Sequence, residues 1–152
     1  NDGDDKIAQI RYCRIWTPPL GGKILFANPN DPFDTEYPEG ELRRLIRENN
    51  VECIAYDPRD LEDMAQRLDS LCYWERFLQG IPRLIADKRL YDMIRERRVQ
   101  HNGEPDLRQH MLNANRKPEE DQLRIVKRND KLKIDSVIAT SMAVDRAMYL
   151  NL

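Results

Sequence analysis

Residues 51–56 read VECIAY and are cut off by Asp57-Pro58. A strand that is apolar at nearly every position is covered on both faces, and such a strand needs helices packed above and below it. Proline has a fixed φ and no N–H, so Pro58 takes the chain out of the sheet abruptly. Helices are at hand on both sides. Residues 41–49 place Leu42, Leu45 and Ile46 on one face, and Asn49-Asn50 stops the run. After Asp60, a residue suited to capping, Leu61, Met64, Ala65 and Leu68 again keep helical spacing. One buried strand between two amphipathic helices commits the chain to a layered α/β arrangement.

The remaining segments extend that pattern. Residues 1–5 (NDGDD) have turn chemistry, and a strand is expected over residues 7–15, ended by Thr17-Pro18-Pro19 and Gly21-Gly22. A chain opening on a hairpin turn implies a preceding strand that is lacking here. Residues 23–27 (KILFA) are a short apolar run, and residues 28–40, with Pro29, Pro32 and Pro38, form an irregular connector. A strand is expected over residues 74–78. A helix follows over residues 82–98, carrying Leu84, Ile85, Leu90, Met93 and Ile94. His101-Asn102-Gly103 turns the chain toward a short helix at residues 107–114. Residues 123–126 are expected as a strand in a small hairpin closing near Asn129-Asp130. The last helix, residues 134–150, carries Ile134, Val137, Ile138, Met142 and Met148. Alternating strands and helices with short links predict an α/β domain around a mixed β-sheet, and 152 residues suit one domain.

Several kinds of chemistry are excluded. No apolar run approaches the roughly 18 residues that cross a bilayer. Cys13, Cys53 and Cys72 are an odd set without metal-ligand spacing, and are read as reduced thiols. No GxxxxGK[ST] loop, GxGxxG turn, HExxH helix or GxSxG elbow occurs, and His101 and His110 are the only histidines. Both are read as surface or helix-side residues, Trp16 and Trp74 as core. The net charge of -2 does not announce a nucleic-acid binder, but its distribution is uneven. Asp2, Asp4, Asp5, Asp31, Asp34, Glu36, Glu39 and Glu41 make the first part acidic. Lys117, Arg124, Lys127, Arg128, Lys131 and Lys133 follow Arg116, against Glu119, Glu120, Asp121 and Asp130. Such a local basic surface is compatible with phosphate binding, as it is with ordinary solvated charge.

Carboxylate chemistry remains. Asp57 follows a buried strand, at the end where α/β sheets bind ligands. Its competing role is that of a turn aspartate before proline. Asp135 stands in Lys133-Ile134-Asp135-Ser136 where the last helix begins. Negative charge is favoured at a helix N-terminus, and taken alone the residue is best explained by capping. Two-metal phosphodiester hydrolysis needs carboxylates that bridge divalent ions, and hard oxygen ligands suit Mg2+ or Mn2+. Lys127, Arg128, Lys131 and Lys133 would then hold the DNA backbone without reading its sequence.

The order of these pieces resembles a known family. Residues 51–58, a helix, Phe77-Leu78-Gln79-Gly80, residues 90–94, Val99-Gln100-His101-Asn102-Gly103 and residues 107–115 (LRQHMLNAN) follow one another. Arg124-Ile125-Val126-Lys127, Lys133-Ile134-Asp135 and residues 137–143 (VIATSMA) complete the series. The likeness, over residues 51–148, is to the C-terminal nuclease domain of tailed-phage large terminase subunits. It implies an RNase H-like three-layer fold around a mixed sheet, lacking its first strand here. It implies a single nuclease domain over residues 1–152, incomplete at its front and without the family's ATPase domain. The implied activity is metal-dependent cleavage of concatemeric double-stranded DNA by an endonuclease of the packaging motor in the cytoplasm of an infected bacterium. Asp57 and Asp135 match the second and third of the family's acidic positions, which bind two Mg2+ or Mn2+ ions; the first has no counterpart in this sequence. The terminase small subunit and the portal are the implied partners, and no membrane is involved. A non-catalytic DNA-binding or motor-docking module using residues 127–133 is the alternative. An unrelated α/β domain in which both aspartates are structural is a third.

Overall fold

The computed structural model describes residues 5–152, so Asn1, Asp2, Gly3 and Asp4 of the expected opening turn lie outside the described residues. The elements are β1 (Ala8–Ile10), α1 (Pro38–Glu48), β2 (Ile54–Tyr56), α2 (Pro58–Leu68), β3 (Trp74–Arg76), α3 (Ile81–Arg95), β4 (Val99–His101), α4 (Pro105–Asn113), β5 (Ala114–Glu119), β6 (Gln122–Lys127) and α5 (Asp135–Tyr149). This is an α/β chain, as its pattern predicts. Among the described residues the strands pair two by two: β1 with β4 and β2 with β3 in parallel, β5 with β6 antiparallel. The chain forms two compact units, Ile15–Arg76 and Asn1–Arg14 with Phe77–Leu152.

Within Ile15–Arg76, β2, α2 and β3 make one parallel crossover, with Ile54 opposite Trp74 and Tyr56 opposite Arg76. The strand expected over residues 51–56 is paired only at its last three positions. Met64, Ala65 and Leu68 of α2 are buried, together with Tyr56. The Tyr56 ring meets Trp74 edge-on at 5.7 Å, and Trp74 Nε1 donates to the Leu68 carbonyl at 3.1 Å. Trp16 donates likewise to the Glu36 carbonyl at 2.9 Å. Both tryptophans are half-buried, not core residues. Their apolar rings pack while each N–H needs an acceptor nearby. Helix α1 starts three residues earlier than its apolar spacing indicates, because Pro38 is preset for the first helical position. Gly40 is required there: a Cβ would stand 1.9 Å from the Asp34 carbonyl oxygen. Glu39 is buried beneath Arg67, which it meets at 2.8 Å. Residues 23–27 form no regular element.

In the other unit, Ala8, Leu90, Met93, Val137 and Val144 form the core, with Val99, Met111, Ile125 and Met148 packed against it. Leu90 and Val137 are fully enclosed, and each such side chain contributes about 1.5–3 kcal/mol by leaving water. Met142 is buried, as expected of this helix. The strand expected over residues 7–15 is reduced to Ala8–Ile10, because its partner β4 has only three residues. Gly103, at φ +75, turns the chain away after that strand. Helix α3 stops at Arg95, short of the expected Arg98. Arg97 adopts φ 59, its N–H bonds the Ile94 carbonyl and that of Arg98 bonds Met93. This pair of backward bonds closes a helix end.

The hairpin also differs from expectation. It closes at Glu120-Asp121, with Glu120 at φ 56, and its strands register Ala114 with Lys127 and Glu119 with Gln122. The polar run ANRKPE carries no strand signal of its own and is held by pairing with QLRIVK. Asn129-Asp130 instead lies in the loop between β6 and α5.

One polar cluster ties this unit together. The Asp87 carboxylate, fully buried, accepts from Arg83 Nε at 2.9 Å, from the Ser141 hydroxyl at 2.6 Å and from the Ile125 N–H at 2.9 Å. Arg83 also donates to Gln79 Oε1 and to the Ile125 carbonyl, both at 3.0 Å. Helices α3 and α5 and strand β6 thus meet at one ion pair.

Candidate functional site

Asp57 stands at the carboxyl end of β2, where Pro58 opens α2. It is the N-cap of that helix: Oδ1 accepts the Arg59 N–H at 3.0 Å. Asp60, expected as the cap, lies in the first turn instead, since the proline shifts the helix start forward. The second oxygen of Asp57 makes no protein contact among the described residues, and the side chain is half-exposed.

Asp135 is the first residue of α5 and is exposed. Its carboxylate has no hydrogen-bond or ion-pair partner among the described residues. Its neighbours are fixed instead. Ile134 and Val137 are buried, which anchors the start of the helix. Ile134 offers no side-chain cap, and the helix start is held from α4. The Ser136 N–H donates to His110 Nδ1 at 3.1 Å, and Asn113 Nδ2 donates to the Lys133 carbonyl at 2.9 Å. His110, on the side of α4, is therefore a buried acceptor beneath the helix start. A helix N-terminus without a side-chain cap leaves N–H donors to be satisfied, and this histidine takes one of them. Sequence spacing alone gave no sign of the pairing, which joins residues 26 positions apart.

Lys127, Arg128, Lys131 and Lys133 are all exposed on the segment leading from β6 to Asp135. Arg128 is partly committed, its Nε donating to the Leu112 carbonyl at 2.9 Å. The three lysines have no side-chain partners among the described residues. These four residues and Asp135 share one unit, whereas Asp57 belongs to the other. Among the described residues no three His, Cys, Asp or Glu side chains come together as a metal-binding group. The donors present are nonetheless of the right kind: Asp135 has both carboxylate oxygens free of protein contacts and Asp57 has one, as hard divalent cations require.

A hollow of about 90 Å³ is lined by Ile10, Tyr12, Cys13, His101, Glu104 and Leu107, among others. The three cysteines are free thiols. Burial pushes the Cys13 thiol up from its ordinary range, the charge of Glu104 adds to that, and the Ser136 side chain opposes it in part. Burial raises Cys72 as well. A raised thiol pKa means less thiolate at neutral pH. Cys13 and Cys72 are expected to react with iodoacetamide more slowly in the folded protein than after denaturation at pH 7.5. Mass spectrometry of the labelled peptides checks this, and equal rates would contradict it.

No helix of the described residues is long and apolar enough to cross a membrane. No curated protein and no solved structure matches the chain. Residues 42–150 match a protein family described as terminase large subunit, endonuclease domain.

Proposed function

Because the chain belongs to the family of terminase large subunit endonuclease domains, we propose that it is a divalent-metal-dependent nuclease of a phage DNA-packaging motor, cutting concatemeric double-stranded DNA. The observation that carries this reading is Asp135: an exposed carboxylate without protein contacts, at a firmly held helix start, reached through a run of solvent-facing cations. In this reading Asp57 and Asp135 are the residues that hold Mg2+ or Mn2+, within one nuclease domain of RNase H-like architecture. When bound, the ions supply Lewis acidity and a more acidic attacking water. Lys127, Arg128, Lys131 and Lys133 hold the phosphate backbone beside Asp135. Such contacts place the duplex and leave its sequence unread. The terminase small subunit and portal are the protein partners, and the cytoplasm of the infected bacterium is the place of action.

Plasmid nicking by the full-length protein tests the reading. Nicking is expected in Mn2+ or Mg2+, none in EDTA, and none after Asp57→Asn or Asp135→Asn. Intact nicking by both variants would end the assignment. The basic segment has its own test. Replacing Lys127, Lys131 and Lys133 with alanine together should flatten the plot of log binding constant against log salt by about 2–3, near one for each phosphate no longer neutralised. An unchanged slope would show that these lysines do not touch the DNA.

The capping bond from Asp57 to the Arg59 N–H favours a second reading. In it the carboxylates are structural and the chain is a non-catalytic DNA-binding or motor-docking module. Salt-sensitive DNA binding indifferent to EDTA, without nicking in any divalent ion, is its signature.

A further inference from the structure

We propose that His110 and Asn113 of α4 are positioning residues that hold the backbone presenting Asp135 for metal binding. This rests on the reading of Asp135 given above. The two side chains grip the backbone on either side of it, His110 at the Ser136 N–H and Asn113 at the Lys133 carbonyl. Neither grip is loose. His110 and Asn113 are each 8% exposed, and Gln109 Nε2 donates to Asn113 Oδ1 at 2.9 Å, which orients the amide so that Nδ2 faces Lys133. The Asn113 carbonyl also accepts the Arg128 N–H at 2.9 Å, so one residue holds both ends of the basic segment. Asp135 itself is held only through its backbone, because its side chain has no partner among the described residues. The backbone from which that carboxylate projects is therefore held by the two α4 residues.

A metal ligand works only if its oxygen waits where the ion will sit, and residues that orient ligands matter nearly as much as the ligands. The His110 bond needs an acceptor at the Nδ1 position. Asparagine places Oδ1 close to that position, whereas leucine fills the space without an acceptor.

The test compares His110→Leu with His110→Asn in the full-length protein. Mn2+ binding is followed by the electron paramagnetic resonance signal of the free ion, and kcat and KM by plasmid nicking. His110→Leu is expected to weaken Mn2+ binding and lower kcat by about tenfold each, leaving KM for DNA nearly unchanged. His110→Asn is expected to restore most of both. Native Mn2+ binding and kcat in His110→Leu would overturn the proposal, as would a lowered melting temperature as its sole effect. Equal impairment in His110→Asn would overturn it too. Should His110→Leu not fold, Asn113→Ser, which withdraws the grip on Lys133, carries the same expectation and the same refutation. Asp135→Asn distinguishes the two levels. If it leaves Mn2+ binding intact, the functional reading itself fails. If it abolishes binding while the α4 variants do not, only the positioning role fails.

Discussion

Replacing Asp87 with alanine is expected to cost about 3–5 kcal/mol of folding stability, the usual penalty for removing one partner of a buried ion pair. That is a large share of the roughly 5–15 kcal/mol by which a domain is stable. The loss has several parts. The Arg83 guanidinium, 5% exposed, would keep its charge in the interior without a counterion. The Ser141 hydroxyl and the Ile125 N–H would lose an acceptor at 2.6 Å and 2.9 Å. Unfavourable burial of these stranded groups outweighs any single hydrogen bond. Urea unfolding of the wild type and the variant measures the difference, and a cost under about 1 kcal/mol, that of an exposed ion pair, would show the cluster to be unimportant. Exchanging Arg83 and Asp87 together for methionine and leucine should recover only part of the loss, because no unpaired charge is then left inside but the Ser141 hydroxyl and Ile125 N–H still lack their acceptor.

The second large effect concerns Asp135, where stability and activity are expected to separate. Asparagine has the shape of aspartate, and the carboxylate has no protein partner to lose among the described residues. Only its favourable interaction with the start of α5 disappears, which is worth about 0.3–1 kcal/mol. Nicking by Asp135→Asn should nevertheless fall at least about a hundredfold, since charge stabilisation by a bound ion is worth several kcal/mol and each 1.4 kcal/mol is a factor of ten. A melting temperature near that of the wild type, together with abolished nicking, is the expected pair of results. Retained nicking would refute the role. Asp57 allows a finer distinction. Asp57→Asn keeps an oxygen for the Arg59 N–H, whereas Asp57→Ala also removes the cap and should cost about 0.5–2 kcal/mol more in stability.

Local chemistry made the helices legible. All were found as helices, but not every apolar face packs as expected: Ile85 and Ile94 of α3 are exposed, and Leu42, Leu45 and Ile46 of α1 are only half-buried. Proline moved the starts of α1 and α2 forward, and a left-handed Arg97 ended α3 early. Strands were legible as runs but not as ladders, because a ladder's length depends on its partner. Residues 7–15 could pair only as far as the three residues of β4 allow. The hairpin was displaced for the same reason, its first strand being written in residues without strand preference. Asp57 and Asp135 were visible from their places beside Pro58 and at a helix start. His110, Asn113 and Asp87 were not. A polar residue on a helix looks solvated in sequence, and its burial comes from a segment far along the chain: Ser136, Lys133 and Ser141 respectively.

The segment from Arg128 to Lys133 has both its feet on Asn113, one on its carbonyl and the other on its side-chain amide. A span pinned to a single pier can sag or lengthen in the middle without shifting whatever is built at its far end. In the proposed reading the Lys131 side chain, unpartnered among the described residues, adjusts to an uneven polyanion from a turn whose Lys131 and Leu132 N–H groups both bond Asn129. If that reading holds, extra residues spliced in between Asn129 and Leu132 would break this turn and alter DNA binding, while the two bonds to Asn113 still hold the ends of the segment.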